Sequence, residues 1–508
     1  MCVRASFAAA FAAVLLVAPA IAQDVTLVAR EGGIVLTGSL QGYDGEFYRI
    51  QTSYGLLTVD GQGVLCEGPA CPDLAAPRAV IRIVGANDPA LALLPPLFRA
   101  FAEQRGLIYE DSGLAGFSAR ILEPESREEI AAITFQPLSL AFATAALEAG
   151  DADLKLAFTP ELGLVAHGLA MDGLVPIVAP DNPTPEISTV DLAKVLSGEI
   201  KNWSAIGGPD MPVVLHALQP EVDMQLALDE RLGAPLAASI LHPDQQSLAN
   251  AVAKDPWAIG ITGRASTYAA RPIPLTDSCG FPLLPTALAV KAEDYPLALP
   301  VILLAPKRRL PLLTREFLDF LRTPAAQAVI AATGYIDRSA TLAPMTADGL
   351  RLINAIQGAG EDITLADLKR LVNLMDGADR LSLTFRFEDG SSTLDAQSRD
   401  NLIDLAQLIA TGRFRNVRMV LAGFSDGSGI ASANLALSVE RAAKVAQELA
   451  AIAPDLLPGM LPTVEGFGEA LPMACDETAI GRHLNRRVEL WLVPHFPEPE
   501  TASDAPSP

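Results

Sequence analysis

Val80-Ile81-Arg82-Ile83-Val84-Gly85, followed by Asn87-Asp88-Pro89 and a run reaching about Arg105-Gly106, decides the fold class. The first half is a short β-branched strand signal. Asn87 and Asp88 then offer capping side chains, and Pro89 suits a first helical turn, where its missing N–H is not needed. The alternation continues downstream. Val175-Pro176-Ile177-Val178 reads as a strand, 189–196 as a helix, Pro212-Val213-Val214-Leu215 as a strand and 224–232 as a helix. Such alternation to about residue 345 implies mainly parallel sheets with helices on both faces.

Working outward, residues 23–76 alternate apolar and polar positions in four short runs, with Asp44-Gly45 as a hairpin signal between two of them. This predicts a small β module. Residues 346–378 carry apolar side chains at helical spacing and predict a helical connector. Residues 379–496 read as strand, helix, strand, helix, strand, and the tail 497–508 is rich in proline, serine and acidic residues, a composition that predicts disorder. The chain is therefore expected to be multidomain α/β, with the α/β body at 77–345.

The 508 residues carry 37 Lys+Arg against 60 Asp+Glu, a formal charge of −23. That balance argues against nucleic acid as a partner, because neutralising phosphates needs clustered cations. Half the residues are hydrophobic, so packed cores are expected. No Walker-type loop and no HExxH pair occurs, the five histidines and five cysteines are scattered, and no cofactor or metal is expected. Arg4, the apolar run from Phe7 to Ala18 and the small-x-small triplet Ala20-Ile21-Ala22 predict a cleaved export signal at 1–22, hence a periplasmic protein. The run is too short to span a bilayer, and no later stretch is long enough. Four cysteines then remain. Cys66 and Cys71 flank a turn and predict a disulfide; Cys279 and Cys475 are read either as a cross-domain pair or as buried thiols.

The last unit carries four elements in order. Phe385-Arg386-Phe387 with Gly390 and Leu394 opens it, then come Gly423-Phe424-Ser425-Asp426-Gly427-Ser428-Gly429, Asn434 to Ser438 with Arg441-Ala442, and finally Gly466, Glu469 and Asn485-Arg486-Arg487-Val488-Glu489. This set resembles the OmpA-like peptidoglycan-binding domain, an α/β sandwich. The resemblance implies peptidoglycan as partner, with Asp426 accepting the ammonium of diaminopimelate and Arg441 gripping its carboxylate. Ser428 and Asn434 would bond nearby, and Arg486 or Arg487 would stand at the pocket edge. One fixed anion and one planar guanidinium suit a zwitterion. Ser425 and Phe424 replace the family's usual Thr and His. Gly423 to Gly427 also fits a G-x-S-x-G elbow, with Asp476 and His483 downstream. A serine esterase using Ser425 is thus a rival reading, but Gly427-Ser428-Gly429 prolongs the loop where an elbow would start its helix. No enzyme is expected.

Asp172 to Pro183, running on to Asn202-Trp203 and Gly208-Pro209, with Val252 to Gly260, resembles a periplasmic solute-binding protein of the phosphate type. The implied body is two α/β lobes closing on a ligand, joined near Leu164–Gly173 and Arg271–Thr276. Candidate solute-binding residues are Asn87, Asp88, Thr159, His216 and Arg264. The family's hydroxyl and arginine donors are replaced here: His216 is followed by Glu221 and Asp223, and Ala157-Phe158-Thr159-Pro160 stands at the end of the first lobe. Carboxylates at a helix N-terminus occupy the potential that phosphate needs. The central domain is therefore expected to bind a different small solute, cationic or zwitterionic, or an envelope protein; a phosphate receptor of an ABC uptake system is the alternative.

Overall fold

A computed structural model describes residues 25–29, 32–43, 47–68, 70–71, 79–111, 116–308, 310–357, 363–388 and 391–494. The export segment 1–22, the Asp44-Gly45 turn, Gly390 and the tail 497–508 lie outside the described residues. The chain forms two compact units that divide between Ala79 and Val80.

The first unit is an antiparallel sheet in the order Gly55–Asp60, Phe47–Thr52, Val35–Tyr43, Val25–Ala29, Val64–Glu67. The four expected strands form, and Val64–Glu67 adds a fifth. Val25, Leu27, Tyr48, Ile50 and Val64 make its core, with Cys66 and Cys71 packed against them and joined as a disulfide.

In the second unit, the body is built on a long mixed sheet. Its order is Ile240–His242, Val214–Leu218, Ala258–Gly263, Leu164–Val178, Ala298–Pro306, Leu154–Ala157, Ala79–Gly85, Glu129–Pro137, Phe117–Leu122, Ile108–Asp111. The expectation of mainly parallel sheet is corrected here. Leu164–Val178 runs antiparallel to both neighbours, and 108–137 is an antiparallel meander. That long strand joins the lobes: residues 164–173 pair with Ala298–Pro306 and 174–178 pair with Ala258–Gly263. The return crossing is not at Arg271–Thr276. Arg271–Pro272 pairs with the end of the long strand and Leu275–Thr276 with Ile187–Ser188, so both stay in the second lobe. The chain returns through the turn after helix Ala287–Lys291.

The C-terminal sheet runs Leu342–Pro344, Asp379–Phe385, Val488–Pro494, Val417–Gly423, Thr463–Gly466. Alternation along its strands sends side chains to opposite faces. Leu421 and Leu490 meet the helices Ala396–Ala410 and Ala431–Ile452 through Leu402, Leu405, Val445 and Leu449. Val420, Ala422 and Trp491 meet Ala355, Leu371, Leu374 and Met375 of the helices Gly349–Gln357 and Leu365–Met375. The expected connector is thus a layer of this domain, not a spacer, because its apolar stripe has the second sheet face to cover.

Body and C-terminal domain are cross-linked. Cys279 and Cys475 form a disulfide. Asp294, 5% exposed, accepts from Arg380 at 2.7 Å and Arg386 at 3.2 Å, both 1% exposed. Arg322 and Arg338 pair with Asp404 and Asp400 at another edge. No described helix is long and apolar enough to cross a membrane.

Candidate functional site

The strand Val417–Gly423 ends against the helix Ala431–Ile452 so closely that a Cβ on Gly423 would lie 1.9 Å from the Ser438 carbonyl oxygen. This contact sets the loop 424–430 beside the first turns of that helix. Asp426 in the loop accepts the Ser428 amide at 3.0 Å and Arg486 Nη1 at 3.1 Å. Burial alone would raise the Asp426 carboxyl, but these donors hold it below its ordinary range, so it is an anion at neutral pH. Asn434 and Arg441 are seven residues apart on the helix and therefore share a face. Arg441 lies 5.9 Å from the Phe387 ring centre. Burial, then the neighbouring Arg486, lowers its pKa, while Asp426 raises it. Among the described residues, the buried polar atoms without a hydrogen-bond partner include Ser425 Oγ, Asn434 Nδ2 and Arg441 Nη1. Unpaired buried donors are costly, and these three stand on one loop and the helix that follows it, where a ligand could pair them.

Arg487 is corrected. It is fully buried, stacks 4.4 Å from the Phe424 ring, bonds Glu489 at 2.7 Å and donates to the Leu471 and Asn485 carbonyls. Arg486 and Arg487 stand between the end of the helix Ala479–Asn485 and the strand Val488–Pro494, and there Arg486, not Arg487, reaches Asp426. Ser428 is exposed and serves Asp426 through both its amide and its hydroxyl. Ser425 is buried, 4% exposed, and Asp476 is engaged by the Gly427 amide and Asn485 Nδ2, both at 2.7 Å.

The second candidate is a cavity of about 290 Å³ between the lobes. Four helices begin at its wall: Asn87–Gln104 and Leu140–Ala149 from one lobe, Asp223–Leu232 and Gln245–Val252 from the other. Gly85 opens it, at φ +121°, where a Cβ would lie 2.1 Å from the Leu156 carbonyl oxygen. Four positive helix ends would suit an anion. The chain's own carboxylates already stand there: Asp88, Glu221, Asp223 and Asp244 line the cavity, and no Lys, Arg or His does. Asp244 caps its helix by accepting the Ser247 amide at 2.7 Å. Asp88 accepts Gln245 Nε2 across the lobes at 3.0 Å. Asp223 crosses the other way and accepts the Leu140 amide; burial lifts its carboxyl to about 6 against the opposing Lys155 charge. Lys155 is itself fully buried and bonded to Thr144, Glu161 and the Leu140 carbonyl.

Residues 386–486 match the OmpA family, and residues 141–325 match the PBP superfamily domain. The chain carries a PBP superfamily domain followed by an OmpA domain. Over 185 residues it is 30% identical to "Phosphate-binding protein PstS" of Bacillus subtilis (strain 168), covering 34% of this chain and 57% of that protein. Over 144 residues it is 26% identical to "Probable lipoprotein YiaD" of Escherichia coli (strain K12), covering 28% of this chain and 60% of that one. The chain thus spans under two thirds of either relative. An ABC-type phosphate transport receptor from Vibrio cholerae aligns with 50% of this chain and 99% of its own, at 20% identity and a TM-score of 0.39.

In the body, Asn87 and Asp88 line the cavity. Thr159 lines a neighbouring groove with Ser139, Glu161 and Glu221. His216 and Arg264 are not at the cavity wall. His216 is buried against His242, with Nδ1 and Nε2 3.0 Å apart, and Arg264 donates to the Gly334 carbonyl at 3.0 Å. Sequence reasoning missed Asp244 and Gln245 as cavity residues; Asp244-Gln245-Gln246-Ser247 is a capping pattern that marks them. In the OmpA domain it took Ser425 as a replacement for threonine or as an esterase nucleophile, not as a ligand-facing hydroxyl. Among the described residues, no group of three or more His, Cys, Asp or Glu could hold a metal.

Proposed function

We propose that this is a periplasmic, wall-tethered binding protein with no catalytic role. Its OmpA domain holds the diaminopimelate side group of peptidoglycan, with Asp426 on the ammonium and Arg441 on the carboxylate. The observation that carries this reading is the set of unpaired polar atoms, Ser425 Oγ, Asn434 Nδ2 and Arg441 Nη1, on the loop that bears an ionised Asp426 and the helix that follows it. The export signal read at 1–22 supports the compartment.

The test is co-sedimentation of the full chain with isolated diaminopimelate-type cell wall. Truncation near Asp376 is a poor control, because it would strand Asp294 and Cys279. Asp426→Asn and Arg441→Ala each remove charge-assisted bonds, and each is expected to weaken binding by about 10–150-fold. Equal sedimentation of wild type and both variants would refute the assignment.

The PBP domain's cleft takes a small cationic or zwitterionic solute in place of phosphate. Four carboxylates in a lining that holds no Lys, Arg or His support this, since they would repel an oxyanion and attract an amine. Calorimetry with inorganic phosphate beside a panel of amino acids and diamines tests it. Heat from phosphate alone would return the cleft to the phosphate reading.

A further inference from the structure

The wall-binding loop is not held by its own domain alone. Gly427, Ser428, Gly429 and Ile430 are exposed, and at the loop tip the Gly427 amide donates to Asp476 Oδ2 at 2.7 Å. A Cβ on Gly427 would lie 2.7 Å from that same oxygen, so the carboxylate is packed on bare backbone. The other oxygen of Asp476 accepts Asn485 Nδ2 at 2.7 Å, one residue before the Arg486 that bonds Asp426. Asp476 therefore ties the two sides of the candidate pocket together.

Asp476 sits in an irregular segment, 467–478, that lacks a ladder to fix it. Its own domain holds it through Asn485, which accepts the Met473 and Ala474 amides, and Arg482, which donates to the Asp476 carbonyl at 2.8 Å; the body adds a second hold. Cys475, the preceding residue, is disulfide-bonded to Cys279, and its amide donates to Asp277 Oδ2 at 2.7 Å. Asp277, 5% exposed, uses its other oxygen to accept the Cys279 and Phe281 amides at 2.9 and 2.7 Å. The Cys475 carbonyl is closed off in turn by Gly481, where a Cβ would approach it to 1.9 Å.

We propose that the solute-binding body completes the wall-binding site: Asp277 and the Cys279–Cys475 bridge hold Asp476, and Asp476 is the positioning residue for the loop that carries Asp426. This rests on the wall-binding reading above. The body is then part of the anchor's recognition apparatus rather than its cargo.

The test compares the full-length wild type with Asp476→Asn, Asp476→Glu, Asp277→Asn and the double variant Cys279→Ala/Cys475→Ala. The double variant is preferred to a reductant, which would also open Cys66–Cys71. Two readouts are taken, affinity for isolated diaminopimelate-type cell wall and hydrogen exchange of the peptide containing Gly427. Asn at 476 keeps one acceptor for two donors, so a loss of about 5–30-fold in affinity is expected. Faster exchange at Gly427 is expected with it, and Asp476→Glu should recover part of both. Asp277→Asn and the double cysteine variant should shift both readouts in the same direction while thermal unfolding remains cooperative. Exchange at Gly427 unchanged in all variants would overturn the proposal, whether or not the protein sediments. Absence of sedimentation by the wild type would instead overturn the wall-binding reading, and exchange would still judge the brace.

Discussion

Asp294 is the position where one atom's change should be felt across the whole second unit. Its carboxylate lies between Arg380 and Arg386, all three almost fully buried. Asp294→Asn keeps the shape and removes the charge, leaving two guanidiniums from the C-terminal domain without their shared anion. Breaking a buried pair costs about 3–5 kcal/mol, because the surviving charge is left desolvated. The neighbours soften this. Arg380 retains Glu489 at 3.5 Å, and Arg386 retains the carbonyls of Glu293, His483 and Leu484. The lower end, about 3 kcal/mol, is therefore expected, or roughly two decades in the unfolding equilibrium. Denaturant unfolding measures it, with Asp404→Asn as the internal comparison. Arg322 and Asp404 are about a third and a quarter exposed, so that pair should contribute under about 1 kcal/mol. If Asp294→Asn and Asp404→Asn cost the same, the buried network is not what joins the domains.

Three further outcomes are expected. Asp223 keeps a proton in the folded state that the unfolded chain releases between pH 3.8 and about 6, so this group makes stability fall as pH rises across that window. Asp223→Asn should remove that slope, gaining on the order of 1–2 kcal/mol relative to wild type between pH 4 and 7 after allowance for partial exposure; parallel pH–stability curves would refute it. Gly423→Ala would drive a methyl into the Ser438 carbonyl and push away the helix that bears Asn434 and Arg441. A stability loss of about 2–3 kcal/mol with loss of wall binding is expected from denaturation and sedimentation. Arg487→Met should lower stability, because Glu489, held well below its ordinary pKa against burial by Arg351, Arg380 and Arg487, loses one of three cations. Wall affinity per folded molecule should change far less than in Arg441→Ala.

Local periodicity was legible where a segment's own pattern decides its structure. The helix Thr189–Leu196 has the bounds its spacing predicts, and the helix Asp223–Leu232 begins one residue early. The order of motif residues from Asp426 to Arg441 likewise carried the loop and helix. What sequence could not supply was partnership. An apolar stripe at 365–375 says that a helix needs cover but not that Val420 and Trp491 provide it. Asn485-Arg486-Arg487 reads as one polar run, yet a one-residue step along the chain sends Arg486 to Asp426 and Arg487 to Glu489. Likewise His216 looked like a donor in a loop, whereas its strand Val214–Leu218 places it against His242. Three of the cavity's four carboxylates were visible, Asp88 from the first helix start and Glu221 and Asp223 from the altered loop, while Asp244 had only its capping pattern to mark it.

The Cys279–Cys475 bond closes a loop of chain 196 residues in sequence separation. If the OmpA domain is fixed to a wall under tension, a pull on it enters the second lobe through that covalent bond, with the Arg380 and Arg386 ion pairs to Asp294 as a second, non-covalent link. The intervening chain cannot pay out as slack. Pulled as a single molecule from its two ends, the oxidised protein should keep roughly 650–700 Å of contour hidden, at about 3.3–3.6 Å per residue, and release it only once the bridge is cut. The protein would behave as a short, stiff mount for its cleft instead of a leash.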